Sequence, residues 1–217
     1  MHVVITGANR GIGHAMLQRF EARGDHVTGT ERTPDPESDL VPLDVTQPGS
    51  IAGLVEDLDS MPVDMLVCNA GVYLDKGADL DSGFAPQLWA DTFATNVTGV
   101  FLTIQALLPN LRAEGLGKIA IVSSQMGSST RANGQSYIYR ASKAAALNLG
   151  RNLATDLRAD GIAVGIYHPG WVRTDMGGQM ADISTEQAAE GLIQRFDALS
   201  LATTGCFEMW NGEEMPF

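Results

Sequence analysis

The sequence predicts an α/β domain: a doubly wound parallel sheet with helices on both faces. Three observations carry that reading. Short apolar runs rich in β-branched residues alternate with longer stretches of helical periodicity, the order expected of βαβ units. A glycine-rich turn, Thr6-Gly7-Ala8-Asn9-Arg10-Gly11-Ile12-Gly13, falls between the first such run and the first helical stretch. The 217 residues, 44% of them hydrophobic, suffice for one substantial core, and no Ser/Gly-rich or charged linker divides them, so residues 1–217 read as a single domain.

The elements follow in order. His2 to Ile5 reads as the first strand, and Gly13 to Arg23 as a helix that Gly24 ends. Val27 to Glu31 and Leu40 to Leu43 are the next two strands. The segment between them, residues 33–39, is too short for the helical crossover that parallel strands usually need, so a loop is expected there. Ser50 to Leu58 reads as a helix and Met65 to Cys68 as the fourth strand. One long helix is expected within Pro86 to Arg112, followed by a strand at Lys118 to Ser123. A helix containing Tyr139 runs to about Ala159, and Ala163 to Tyr167 is the sixth strand. Ser184-Thr185-Glu186-Gln187 has capping-box spacing and opens the last helix, before a final strand at Gly205 to Met209.

Charge and composition exclude several functions. A formal charge of -12 argues against a nucleic-acid surface, which needs clustered Lys and Arg. The same charge repels an anionic ligand unless backbone N–H groups, a helix N-terminus and a placed cation such as Arg10 hold it locally. The N-terminus shows no basic leader with an apolar core, and no window is expected to cross a bilayer. A cytoplasmic protein with no membrane partner is the expectation. Cys68 and Cys206 lie in apolar, strand-like runs without metal spacing and read as buried free thiols. His2, His14, His26 and His168 are scattered, so no metal site is expected.

The chemistry concentrates in Tyr139-Arg140-Ala141-Ser142-Lys143. A tyrosine and a lysine four positions apart share one helix face, about one turn apart along the axis. A nearby ammonium favours phenolate and moves a phenol from its ordinary pKa near ~10 toward neutrality, which makes an acid/base device. The same spacing also suits a half-buried aromatic with a solvated cation along its ring. Tyr137 competes only on composition, since its fourth following residue is Ala141.

The glycine-rich turn stands where a doubly wound fold places a pyrophosphate, and glycines let the chain approach phosphates without a Cβ in the way. Its G-x-x-x-G-x-G spacing differs from the general dinucleotide fingerprint, and glycines also serve as plain strand-to-helix punctuation. With Cys68-Asn69-Ala70-Gly71 and Pro169-Gly170-Trp171-Val172-Arg173-Thr174 added, four ordered motifs resemble those of the short-chain dehydrogenase/reductase family: TGxxxGxG, NNAG, YxxxK and PGxVxT. The likeness runs from the first strand to the last. Residues 121–128, 139–143 and 168–178 are similar to the subgroup containing the sniffer-type carbonyl reductases and the C-signal protein.

That resemblance implies a Rossmann-type fold and an NAD(P)-dependent oxidoreductase passing hydride between nicotinamide and a small carbonyl or alcohol substrate. It implies Tyr139 as acid/base, Lys143 as the group that binds the nicotinamide ribose and lowers the tyrosine pKa, and Ser124 as donor to the substrate oxygen. Ser124 lies fifteen positions before Tyr139, more than is usual in the family, which leaves Ser123 and Ser128 as alternatives. Asn96 matches the asparagine that interrupts a helix and holds a relay water. Its local reading is a helix-disfavouring residue that satisfies nearby backbone.

For the dinucleotide the resemblance implies Gly7, Asn9, Arg10, Gly11, Ile12, Gly13, Asn69, Ala70, Gly71, Tyr139, Lys143, Pro169, Gly170, Val172 and Thr174, with Asp44 and Val45 at the adenine. Asp44 equally suits a helix cap. Glu31, about twenty residues past the turn, favours NAD through the ribose hydroxyls, while Arg10 and Arg32 resemble the guanidinium groups that embrace the 2′-phosphate of NADP. The choice falls to NAD. Trp171, Met176 and Met180 are candidate substrate contacts. The family also implies a homodimer or homotetramer assembled through the long helices, although Ala144, Ala145, Ala146 and Gly150 serve a monomer's core equally well. A dinucleotide-binding sensor or signalling protein with little turnover is the rival class. An epimerase or dehydratase is disfavoured because only a few dozen residues follow Thr174.

Overall fold

The computed structural model describes residues 1–33, 35–81, 83–113 and 115–217. Seven strands form one parallel sheet in the order β3-β2-β1-β4-β5-β6-β7. They are β1 (His2–Ile5), β2 (His26–Glu31), β3 (Val41–Pro42), β4 (Met65–Cys68), β5 (Lys118–Val122), β6 (Ala163–His168) and β7 (Phe207–Met209). Every residue of β1, β4 and β6 is buried, as expected of parallel strands covered on both faces.

Side-chain alternation splits the core into two layers. Val4, Leu66, Ile119, Ile121 and Val164 face one way, against α2 (Pro48–Leu58), α4 (Val100–Arg112) and α5 (Tyr137–Asp156). Val3, Ile5, Met65, Val67, Ala120 and Tyr167 face the other way, against α1 (Gly11–Ala22) and α6 (Thr185–Ala198). The chain moves outward from β1 to β2 and β3, then returns to place β4 on the other side of β1. The crevice beyond the carboxyl ends of β1 and β4 is therefore the topological switch point, where doubly wound sheets bind ligands.

Several element bounds differ from expectation for local reasons. Helix α1 starts at Gly11, because the glycine turn itself winds into the first helical turn, and Gly24 ends it at φ 89°. Strand β3 has only two residues, since Pro42 has no N–H to extend an edge ladder. Residues 33 and 35–39 connect β2 and β3 without a helix or strand, and Pro34 lies outside the described residues. The expected long helix runs over Pro86–Arg112 and contains a π-helical turn at Ala94–Gly99 between α3 (Pro86–Phe93) and α4. The π-helical turn lies where the helix crosses Val45, where a Cβ on Gly99 would sit 2.8 Å from the Val45 carbonyl oxygen.

Pro86–Arg112 also reaches the length and apolarity of a membrane-spanning helix, which the sequence was not expected to supply. Its Val100, Ile104, Leu107 and Leu111 are buried against the sheet. Cys68 is buried on β4, whereas Cys206 is only half-buried and precedes β7. The C-terminal segment folds back along β7, with Met209 N–H donating to Glu213 O at 2.8 Å and Met215 N–H to Phe207 O at 2.8 Å.

Helix α5 rests on the sheet through Gly150, where a Cβ would stand 2.5 Å from Ile166 Cγ1 and 3.2 Å from Ile121 Cδ1. Gly150→Ala gains about 1 kcal/mol of helix propensity. It also forces a methyl into a packed layer, which costs about 1–3 kcal/mol and wins because Ile166 Cγ1 is held by its own backbone. The expected outcome is a net loss of about 1 kcal/mol in urea melts; a stabilised variant would show that the helix can lift.

Candidate active site

The turn after β1 and the loop after β4 are stitched together at the switch point. Thr6 Oγ1 accepts the backbone N–H groups of Asn69 and Ala70, each at 3.0 Å. Asn69 Nδ2 donates to Thr6 O at 3.0 Å and Gly7 O at 2.9 Å. On the other side, Ala8 N–H donates to Thr30 O at 2.7 Å and Gly7 N–H to Thr30 Oγ1 at 3.3 Å, which ties the turn to β2 beside Glu31. Gly7 and Gly11 take φ of 68° and 58°, conformations that side chains disfavour. A Cβ on Gly13 would lie 2.1 Å from Gly7 O, so only glycine lets α1 start this close to the turn.

Helix α1 opens with no side-chain cap on Arg10 and no acidic residue in its first turn. Its first N–H groups thus face the crevice with a positive helix end, the ordinary seat of a phosphate. The cradle fits a dinucleotide pyrophosphate. Thr174 Cγ2 would lie 3.4 Å from a Cβ on Gly11, which brings the Pro169–Thr174 segment to the same mouth. Within that segment, Val172 is buried and bridges to Ile183, and Gly170 takes φ 88° beneath Trp210.

The acid/base candidates sit beyond the glycine turn. Tyr139, the third residue of α5, is 7% exposed, and the Ser124 side chain hydrogen-bonds to it. Lys143 Nζ lies 5.6 Å from the centre of the Tyr139 ring and donates to Val122 O at 3.0 Å. Asn96, on the π-helical turn, clamps Val72 by accepting its N–H and donating to its carbonyl, both at 2.9 Å, and donates to Ser142 Oγ at 3.0 Å. Asn96 and Lys143 meet at Gly71, where a Cβ would be 3.3 Å from Asn96 Oδ1 and 3.6 Å from Lys143 Nζ. The neighbouring serines are spent elsewhere: Ser123 Oγ donates to Lys143 O at 3.1 Å, and Ser128 pairs with Thr130 at 2.8 Å.

The electrostatics differ from the sequence expectation in one respect. Burial pushes the Tyr139 phenol up to about 12, the Ser124 hydrogen bond opposing it and Tyr73 adding to it. Burial also draws the Lys143 ammonium down to about 8. The protein's own environment therefore does not lower the phenol toward neutrality, because desolvation of the two groups outweighs the lysine's charge beyond a ring 5.6 Å away.

Other candidates are placed apart from this cluster. Glu31 is buried, with Oε1 accepting Asp35 N–H at 3.2 Å, and Arg32 is exposed. Arg10 forms an exposed ion pair with Asp175 at 2.8 Å. Asp44 Oδ1 accepts Thr46 N–H at 2.9 Å and the Thr46 hydroxyl at 2.7 Å, a turn ahead of α2 rather than its N-cap, which is Gln47. Val45 packs under Gly99. Trp171 Nε1 donates to Gly177 O at 2.9 Å, and Lys76 Nζ donates to Met176 O at 2.9 Å, whereas the Met180 side chain is exposed.

Two residues absent from the sequence reading touch Tyr139 directly. The Tyr73 ring stacks on it at 4.2 Å between centroids, and its hydroxyl bonds Ser136. The Asp75 carboxylate accepts Ile138 N–H at 2.8 Å and Tyr139 N–H at 3.2 Å. No local pattern links residues 63 or 64 positions apart, so only the fold reveals the contacts.

The sequence signature described as short chain dehydrogenase matches residues 1–184 of this chain. The chain belongs to the short-chain dehydrogenase family. It is 39% identical to the C-signal of Myxococcus xanthus over 72% of this chain and 93% of that protein. It is 35% identical to 1-hydroxy-2-glutathionyl-2-methyl-3-butene dehydrogenase of Rhodococcus sp. (strain AD45), over 97% and 96% of the two chains. Among solved structures, the NADPH-bound carbonyl reductase from chicken fatty liver superposes with a TM-score of 0.89 at 31% identity, covering 100% of this chain and 98% of that one. As a short-chain dehydrogenase/reductase, the protein is an NAD(P)-dependent oxidoreductase.

His168, at the end of β6, is buried, and its Nδ1 has no partner among the described residues. Burial, then the charges of Arg131 and Lys143, lower its pKa from 6.5 to about 4. The folded state therefore binds fewer protons than the unfolded chain as pH falls from 6.5 toward 4, and stability declines across that window. The loss from this group amounts to about 3 kcal/mol. His168→Leu is expected to flatten that decline in denaturant melts run from pH 7 to pH 4; an unchanged slope would assign acid sensitivity to other groups.

Proposed function

We propose that this short-chain dehydrogenase reduces a small carbonyl compound, with Tyr139 giving the substrate oxygen its proton. The observation that carries the reading is the cluster at Tyr139: a buried phenol hydrogen-bonded by Ser124, with the Lys143 ammonium beside its ring, opposite the glycine cradle that fits a dinucleotide. Bound there, NAD(P)H supplies the hydride. Gly7, Gly11, Gly13 and the first turn of α1 hold the pyrophosphate through backbone N–H groups, with Asn9 and Ile12 in the same turn. Asn69, Ala70, Gly71, Asp44 and Val45 line the adenosine side, and Pro169, Gly170, Val172 and Thr174 the nicotinamide side.

Each catalytic residue has a distinct task. Ser124 donates to the substrate oxygen and stabilises the negative charge that develops on it. Tyr139 holds its proton throughout the neutral range because burial raises its pKa to about 12, which suits donation to a forming alkoxide. Lys143 remains a charged donor near neutrality and can reach the ribose hydroxyls, and Asn96 holds the Gly71–Val72 backbone against it. Since alcohol oxidation requires phenolate, the reverse reaction accelerates with rising pH.

NAD is the preferred cofactor in this reading. Glu31 at the end of β2 accepts ribose hydroxyls and repels a 2′-phosphate, and Arg10 is engaged with Asp175. The likeness to an NADPH-bound carbonyl reductase supports a dinucleotide site, and the two KM values decide between the cofactors: NADH is expected to show the lower one, and a strong NADPH preference overturns the choice. The likeness to the C-signal supports a second reading, a signalling protein that binds dinucleotide with little turnover.

Tyr139→Phe separates the readings. Turnover in a carbonyl-substrate screen followed at the reduced-nicotinamide absorbance is expected to fall by about 10³-fold or more. The dinucleotide Kd should stay within about twofold, since the lost hydroxyl serves proton transfer. Retained turnover in the variant refutes the acid/base assignment, and a wild-type protein that binds dinucleotide but turns over nothing favours the signalling reading.

A further inference from the structure

Helix α5 carries the acid/base tyrosine yet has no cap of its own. Its N-cap residue, Ser136, has φ 50°, in the left-handed region, and makes no side-chain bond to the helix. Gly134 and Gln135 before it are also left-handed, at 75° and 59°. An N-cap side chain ordinarily works from extended backbone and accepts the N–H groups of the second or third helical residue. Here the chain enters from the wrong side, and the Ser136 hydroxyl turns to Tyr73 instead. The second and third residues of the helix are Ile138 and Tyr139, and their N–H groups go to the two oxygens of Asp75, at 2.8 and 3.2 Å.

The geometry points to Asp75 as the positioning residue for the acid/base: a remote helix cap, supplied by the loop after β4, that sets the place of Tyr139 against Ser124. This rests on the reading of Tyr139 above. Asp75 is 1% exposed, so its carboxylate is committed to these two donors rather than to solvent. The residues beside it are anchored too, Val72 by Asn96, Tyr73 by stacking on Tyr139, and Lys76 by Met176 O. One five-residue stretch therefore ties the cofactor-side loop, the π-helical turn, the substrate-side loop and the acid/base helix together. An error in the entry of α5 passes directly to the phenol, because Tyr139 is itself one of the capped residues.

Two measurements test this on the intact protein, with Asp75→Ala compared with Ser184→Ala, which removes a cap from α6 away from the acid/base cluster. In amide hydrogen exchange, the Ile138 and Tyr139 protons are expected to exchange at least about tenfold faster in D75A, with mid-helix Leu147 unchanged. In kinetics, kcat is expected to fall by about 10²-fold, the cost of misplacing a reacting group by about 1 Å. Both KM values should stay within about twofold. The alkaline limb for alcohol oxidation should move to higher pH, since the Ser124 bond that lowers the phenol pKa is loosened.

S184A should lose stability and none of these. A D75A protein that matches S184A in exchange at residues 138 and 139, in kcat and in pH profile overturns the assignment. Should D75A fail to fold, Asp75→Asn decides: with one acceptor oxygen kept, one of the two amides exchanges faster and kcat falls severalfold, and a D75N protein identical to wild type in both overturns the proposal. Failure of the acid/base reading shows itself separately, as a Tyr139→Phe enzyme that still turns over.

Discussion

Two backbone turns touch at the carboxyl ends of β1 and β4, and the cleft is built outward from that contact. The Thr6 hydroxyl accepts the backbone N–H groups of Asn69 and Ala70, the Asn69 side-chain amide donates to the carbonyls of Thr6 and Gly7, and Gly13 has no room for even one more carbon. A parallel sheet whose strand order reverses at β1 opens a crevice at this place, but a crevice alone has no fixed width. The hydrogen bonds and the missing Cβ set that width. From there the Asn69–Gly71 loop leads through Asn96 to Lys143 and Tyr139, so the glycine turn and the buried phenol belong to one continuous frame.

Within the frame, water exclusion decides protonation more than charge pairing does. Tyr139 and Lys143 both shift toward their neutral forms, the phenol upward and the ammonium downward, although they are neighbours. Coulombic pairing would have driven the two the opposite way. The result is a phenol that keeps its proton through the neutral range and an ammonium drawn down to about 8. At the glycine turn the chain presents the uncapped N-terminus of α1 rather than side-chain charge to the crevice.

Much of this was legible along the chain, and the limits were physical. Strands β1 and β4 fell where their apolar runs did, because strands buried on both faces leave an unbroken hydrophobic signature. The α6 capping box was readable because both partners lie within one helical turn. Tyr139 and Lys143 shared a face by spacing alone, and the position of Ser124 beside the phenol needed the fold, since its loop spacing had left three serines in play. What could not be read were contacts across long sequence separations: Asp75 with Ile138 and Tyr139, Tyr73 with Ser136, Arg10 with Asp175. The expected lowering of the phenol was misjudged because spacing says which charges are near and nothing about how much water they have lost. The long helix over Pro86–Arg112 was legible, but not the π-helical turn inside it where Gly99 passes over Val45, another contact between distant residues.

The two margins of the sheet carry a consequence for handling the protein. On one side Pro42 leaves a two-residue strand without a donor to offer, and on the other the C-terminal segment lies along β7 and takes up its outward-facing groups through the Met209 and Met215 amides. Among the described residues, neither rim presents a long row of unpaired N–H and C=O groups to a neighbouring molecule. Concentrated solutions are thus guarded against ribbon-like self-association at the backbone level, and removing residues 213–217 would expose a template that this segment keeps covered.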